Sequence, residues 1–118
     1  MTKKPNGLKP ESLIQQEIQL ALQRAFPSAL VLRQNTGAMR DQSGRLVKFG
    51  IKGQGDLRCV IDGHSVEIEV KTVKGKQSDA QKQYEKIFNR AGGTYLVCND
   101  AEDCLNELRS RLPEGDRK

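Results

Sequence analysis

Gly53-Gln54-Gly55-Asp56-Leu57-Arg58-Cys59-Val60-Ile61-Asp62-Gly63-His64-Ser65-Val66-Glu67-Ile68-Glu69-Val70-Lys71 reads as two short strands joined by a tight turn. Residues 57–61 and 65–71 are rich in Val and Ile with period-2 alternation, and Asp62-Gly63 between them is a two-residue hairpin signal. A loop of Asp62 and Gly63 sets Ile61 opposite His64, Cys59 opposite Val66, Leu57 opposite Ile68 and Asp56 opposite Glu69. The apolar pairs share one face. Alternation places Asp56, Glu67, Glu69 and Lys71 on the other, with Arg58 opposite Glu67 as an expected ion pair and His64 as an exposed turn residue.

Asp56 opposite Glu69 is the informative pair. Directly opposed side chains have Cβ atoms about 4.5–5.5 Å apart, and like charges at that spacing are destabilising. A divalent cation between the carboxylates offsets the repulsion, and hard oxygen ligands suit Mg²⁺. Lys71 reaches the same spot from the same face. Gly53 and Gly55 leave room for a bulky partner, such as a phosphate, to approach the backbone. The plain alternative is a solvated charged face of Glu and Lys, which many antiparallel strands expose.

Gly-x-Gly-Asp followed after a hairpin by Glu69-Val70-Lys71 resembles the PD-(D/E)xK nuclease superfamily. The ordered landmarks more narrowly resemble the VRR-Nuc family in its stand-alone, viral or bacterial form. They are Glu11 with Ile14-Gln15, Asn35-Thr36-Gly37, Phe49-Gly50, Lys52-Gly53-Gln54-Gly55-Asp56, Glu69-Val70-Lys71, and Gln81 followed by Tyr84 and Gly92-Gly93. They run from about Glu11 to Asp103, and Gly55 stands where the superfamily's name has proline. The resemblance implies a restriction-endonuclease-like α/β core in which Asp56, Glu69 and Glu11, with the Val70 carbonyl, hold Mg²⁺ or Mn²⁺. It makes Lys71 the group that orients water and offsets charge, and it sets Gln81 beside the catalytic face. It also implies a homodimer acting on branched DNA such as four-way junctions, in a DNA-repair setting.

With 118 residues, 36% apolar and 30% charged, the chain suits one domain with a compact core and a heavily charged surface. Its net charge of +5 is uneven. Arg33, Arg40, Arg45, Lys48, Lys52 and Arg58 lie close in sequence against only Asp41 and Asp56, a basic patch beside an acidic site, as a polyanionic substrate requires. Cys59, Cys98 and Cys104 show no C-x-x-C spacing, so buried thiols in a reducing cytoplasm, bacterial or that of a viral host, are expected rather than disulfides or zinc. There is no signal peptide, membrane span or P-loop, which argues against membrane and nucleotide partners.

In chain order, residues 1–10 read as a flexible basic arm, 11–112 as one nuclease domain and 113–118 as a charged tail. A helix is expected over 11–26, with Ile14, Ile18, Ala21, Leu22 and Ala25 inward. Glu11 continues that stripe toward the core edge, and Glu17 is the alternative first-helix acid. A strand follows over 29–34, ending in Asn35-Thr36-Gly37 beside the site in the family. Next come a polar, mobile segment over 38–43 and a basic-faced strand over 45–49. Beyond Lys71, a loop carries Lys74 and Lys76. Ser78 and Gln81 then form a capping box for a helix buried through Ala80, Tyr84, Ile87, Phe88 and Ala91. Gln81 thus has a structural task as well as the one the resemblance assigns. A strand over 94–98 and a helix over 101–112 capped by Asp100 complete a mixed sheet with helices on both faces.

Expected DNA contacts are Arg33, Asn35, Arg40, Arg45, Lys48, Lys52, Lys74 and Lys76. The competing functions are a non-catalytic nucleic-acid-binding module and a flap or nicking nuclease with another structural preference. A sequence-specific restriction enzyme would need a recognition element for base edges, and no segment is spare for one.

Overall fold

Asp62 and Gly63 take φ of 48° and 82°, the double positive-φ conformation that a two-residue hairpin turn requires. The computed structural model describes residues 9–34, 37–72 and 75–112. Residues 1–8 of the expected arm over 1–10, the tail over 113–118, Asn35 and Lys74 lie outside the described residues.

The turn joins β4 (Leu57–Ile61) to β5 (His64–Val70) in the anticipated register, with Ile61 opposite His64, Cys59 opposite Val66 and Leu57 opposite Ile68. On the far side of β4, β1 (Leu30–Arg33) pairs antiparallel, and β6 (Thr94–Cys98) pairs parallel with β5. The main sheet therefore runs β1-β4-β5-β6 and is mixed. A parallel neighbour needs a crossover, and α2 (Asp79–Arg90) supplies it between β5 and β6.

Burial separates the two faces. Val31, Leu57, Cys59, Ile61, Val66, Ile68, Val70, Leu96 and Cys98 form one core with Ile14, Ile18 and Leu22 of α1 (Glu11–Ala25) and with Cys104 and Leu108 of α3 (Ala101–Arg111). Ile14, Ile18 and Leu22 are each 1% exposed or less. Each such side chain stabilises the fold by roughly 1.5–3 kcal/mol relative to an exposed one. The three cysteines are buried and free, and burial pushes the Cys59 thiol up to about 11, which keeps it protonated and unreactive.

On the opposite face, α2 brings Tyr84 and Phe88 against Tyr95 of β6, with ring centroids 5.8–6.5 Å apart. The expected buried stripe of α2 is shallower than anticipated. No α2 residue is fully buried and Ile87 is exposed, because α2 covers only part of this face. The caps are as expected. Ser78 and Gln81 make both hydrogen bonds of the capping box, and the Asp100 carboxylate accepts from the Asp103 amide at 2.7 Å.

Residues 38–40 are not part of the polar, mobile segment expected over 38–43, and with Gly37 they belong to a strand. They form β2 (Gly37–Arg40), which pairs antiparallel with β3 (Leu46–Phe49) in a separate two-stranded sheet. The turn between them is organised by Asp41, whose Oδ1 accepts from the Ser43 amide, the Ser43 hydroxyl and the Arg45 amide at 2.7–2.9 Å. An acidic side chain satisfying successive turn amides is a local signal that the reading as a loop overlooked. His64 is also not a free turn residue, since its Nε2 lies 2.7 Å from the Thr94 hydroxyl. Among the described residues no helix is long and apolar enough to cross a membrane.

Candidate metal centre

Asp56 and Glu69 meet at one end of the sheet. The β4–β5 ladder ends at Leu57 and Ile68, so continuing its register by one step brings Asp56 to Glu69. Asp56 is held at both backbone and side chain. Its carbonyl accepts from the Gln34 amide at 2.8 Å, and its Oδ2 accepts from the Val70 amide at 2.7 Å. The N–H and C=O of an extended residue point to the same side, so the Val70 carbonyl opens toward the Asp56 edge as well.

Glu69 is 2% exposed, which rules out the solvated charged face. Its Oε1 lies 3.2 Å from Lys71 Nζ, and its Oε2 is buried with no hydrogen-bond partner among the described residues. An orphaned buried carboxylate oxygen costs about 1–3 kcal/mol or more, and native proteins seldom retain one without a reason. Burial, reinforced by the neighbouring Asp56 charge, pushes the Glu69 carboxyl up to about 7, against the pull of Lys71 and the Gln81 amide. Burial also raises Asp56, against the Val70 amide, Lys71, Glu69 and Arg33. Two crowded carboxyls that hold protons more tightly than usual, one with an unpartnered oxygen, match the donors a hard divalent cation prefers.

The remaining site residues divide. Gln81 serves two ends, since its Oε1 accepts from the Ser78 amide at 2.8 Å while its amide group favours the charged form of Glu69. Arg33 donates to Gln15 Oε1 at 3.0 Å and its charge favours ionised Asp56. Glu11, expected at the core edge, is exposed in the first turn of α1. It stands three residues before Ile14, the first buried residue of α1, so stripe membership did not imply burial. Glu17 is engaged by Lys9 at 3.0 Å. Among the described residues no third Asp, Glu, His or Cys joins Asp56 and Glu69 as a ligand cluster. Arg40, Arg45, Lys48 and Lys52 are exposed on the β2–β3 hairpin and the loop after it, and Lys76 is exposed before α2. Beside Lys71 an open cavity of about 240 Å³ is lined by Thr72, Gly75, Val97, Cys98, Asn99 and Asp103, beyond the carboxyl ends of the parallel pair β5 and β6, where ligands of such sheets commonly bind.

Two readings of the central stretch are corrected. Gly53 and Gly55 do not leave space for a phosphate. A Cβ on Gly53, at φ of 90°, would collide with the Ala80 carbonyl of α2, and one on Gly55 would lie 2.9 Å from the backbone of Ile68. The glycines let the loop lie flat between α2 and β5. Glu67 makes no ion pair with Arg58. It is fully buried, and accepts from the Gly55 amide at 2.8 Å and from the Tyr84 hydroxyl. The available signal was the aromatic pair Tyr84 and Phe88 at helical spacing, which needs a sheet face to cover, and Glu67 lies on that face.

Comparison with protein-family models, with curated proteins and with solved structures finds no match.

Proposed function

We propose that this chain is an Mg²⁺- or Mn²⁺-dependent endodeoxyribonuclease of the PD-(D/E)xK type, with a restriction-endonuclease-like core similar to VRR-Nuc proteins. The observation that carries this reading is the buried, unpartnered Oε2 of Glu69 beside Asp56, with Lys71 alongside. A domain that only binds DNA has no use for two carboxyls forced together at such a cost.

Asp56 and Glu69 would hold the cation, with the Val70 carbonyl at the same edge. When bound, Mg²⁺ or Mn²⁺ supplies polarisation of the scissile phosphoryl oxygen and activation of water. Asp56 is pre-positioned by the Val70 amide, so little rearrangement is needed on binding. Glu69, whose carboxyl holds its proton more tightly than usual, would lose that proton to a bound cation. Lys71, 3.2 Å from Glu69, brings a positive charge to the place where negative charge grows on the phosphoryl group in the transition state. Gln81 steadies Glu69 from the α2 side. The exposed bases of the β2–β3 hairpin grip backbone phosphates without reading sequence.

The resemblance to stand-alone VRR-Nuc proteins points to branched DNA, with four-way junctions foremost, and to a homodimer, since paired incisions across a branch need a symmetric pair of sites. The deciding experiment is cleavage of a panel of duplex, flap, splayed and four-way DNA in Mg²⁺, Mn²⁺ and EDTA. Metal-dependent cutting strongest on branched forms is expected. Binding without cutting in any metal would overturn the nuclease reading in favour of a DNA-binding module.

A further inference from the structure

We infer that Glu67 is a positioning residue that sets Asp56 against Glu69. Its functional meaning rests on the nuclease reading, while its structural content rests on the loop geometry alone. Both carboxylate oxygens of Glu67 are used within the protein. Oε1 accepts from the amide of Gly55, the residue immediately before Asp56, at 2.8 Å, and Oε2 accepts from the Tyr84 hydroxyl on α2. Glu67 and Glu69 stand two residues apart on one face of β5, yet their environments are opposite. Each Glu67 oxygen has a protein donor, whereas Glu69 keeps an oxygen with no partner among the described residues. One carboxylate anchors the loop and the other is left for a ligand.

The anchoring is extensive. The Tyr95 hydroxyl donates to the Gly53 carbonyl at 3.2 Å, and Gln34 Nε2 donates to the Gly55 carbonyl at 3.1 Å. The loop carrying Asp56 is thus fastened through side chains of β5 and β6 and through Gln34 after β1. Gly53 and Gly55 fit so closely against Ala80 and Ile68 that a Cβ has no room at either position. Within this clamp the Glu67 carboxylate accepts from the loop backbone and also ties that loop to α2, the helix bearing Gln81. A buried carboxylate on a strand is costly unless fully hydrogen-bonded. An apolar residue at position 67 would pack without that cost, but would leave the Gly55 amide without an acceptor.

The consequence is readable without metal or DNA. The Val70 amide is protected through the Asp56 carboxylate, so its hydrogen exchange reports where Asp56 is. In Glu67→Ala the Gly55 and Val70 amides should exchange at least tenfold faster, while amides in the middle of the β4–β5 ladder stay within about threefold of wild type. Glu67→Gln retains an oxygen for Gly55 and turns its NH₂ toward the Tyr84 hydroxyl, and should restore Val70 protection to within about threefold. Tyr84→Phe keeps the ring packing, releases one of the two anchors and should accelerate Val70 about threefold, which supplies a folded variant if Glu67→Ala does not fold. A Mn²⁺ titration followed by thermal shift forms the second arm. The half-saturating Mn²⁺ concentration should rise ten- to a hundredfold in Glu67→Ala, the range typical for residues that orient a metal ligand, and return in Glu67→Gln. Wild-type Val70 exchange in Glu67→Ala, or in Tyr84→Phe should the alanine variant not fold, would overturn the inference. So would a uniform acceleration through the whole ladder, which marks general loosening. A wild-type protein that binds no Mn²⁺ would instead sink the nuclease reading, and the exchange arm would still decide the role of Glu67.

Discussion

Glu69→Gln should make the metal-free protein more stable at alkaline pH while abolishing its response to metal. Glu69 is 2% exposed, and its carboxyl is pushed from an ordinary 4.5 up to about 7. A carboxyl that holds its proton more tightly when folded lends stability that is fully present below about 4.5 and is lost as pH rises through about 7. At about 1.4 kcal/mol for each tenfold change in proton affinity, the ionised form costs about 3 kcal/mol at pH 8. Gln is nearly isosteric and carries no charge, so it removes this cost. For a chain of this size that corresponds to a melting temperature roughly 10 °C higher than wild type at pH 8, shrinking toward zero near pH 4.5. Calorimetry of both proteins in EDTA at pH 5 and pH 8, repeated with Mn²⁺, measures it. Mn²⁺ should raise the wild-type melting temperature, since a ligand that binds only the folded state stabilises it, and should leave Glu69→Gln almost unmoved. If Glu69→Gln is no more stable than wild type at pH 8, or if the gap is the same at pH 5, the buried-charge argument is wrong.

Lys71→Ala should leave folding and DNA binding nearly intact but slow cleavage about 10²–10³-fold, the usual loss when a group acting on the transition state is removed; single-turnover cutting of a four-way junction checks this. Neutralising Lys48 and Lys52 together should weaken binding to every DNA shape and flatten its salt dependence, and an unchanged slope in a fluorescence-anisotropy salt titration would place the binding face elsewhere. Asp56→Asn should abolish cleavage and shrink the Mn²⁺-induced thermal shift while leaving the apo protein at least as stable as wild type, which scanning fluorimetry reads directly. Gly53→Ala and Gly63→Ala share the strain of a positive φ, about 1–2 kcal/mol, but only Gly53 faces backbone where a Cβ would sit. Urea denaturation should therefore show Gly53→Ala to be the more damaging by at least about 1 kcal/mol.

Interactions between near neighbours in the chain were determined by the sequence alone. Asp62-Gly63 dictated the turn, and the turn dictated the register from Ile61 and His64 out to Leu57 and Ile68. Ser78 with Gln81 and Asp100 ahead of α3 announced their caps, because a cap is a contact over three residues. The approach of Asp56 to Glu69 was legible for the same reason, being one register step past the ladder. Tertiary structure decided what covers what. Alternation places Glu67 and Glu69 on one face of β5 but does not say that α2 crosses over that face and takes them out of water. It thus left unseen both the Glu67 anchor and the unpartnered oxygen of Glu69. Gly53 and Gly55 read as open space until the backbones of α2 and β5 filled it. Glu11, on the apolar stripe of α1, is nevertheless exposed, since burial along the stripe begins only at Ile14. Hydrogen bonds over a few residues are written in local residue types, whereas burial depends on which distant segment arrives on each face.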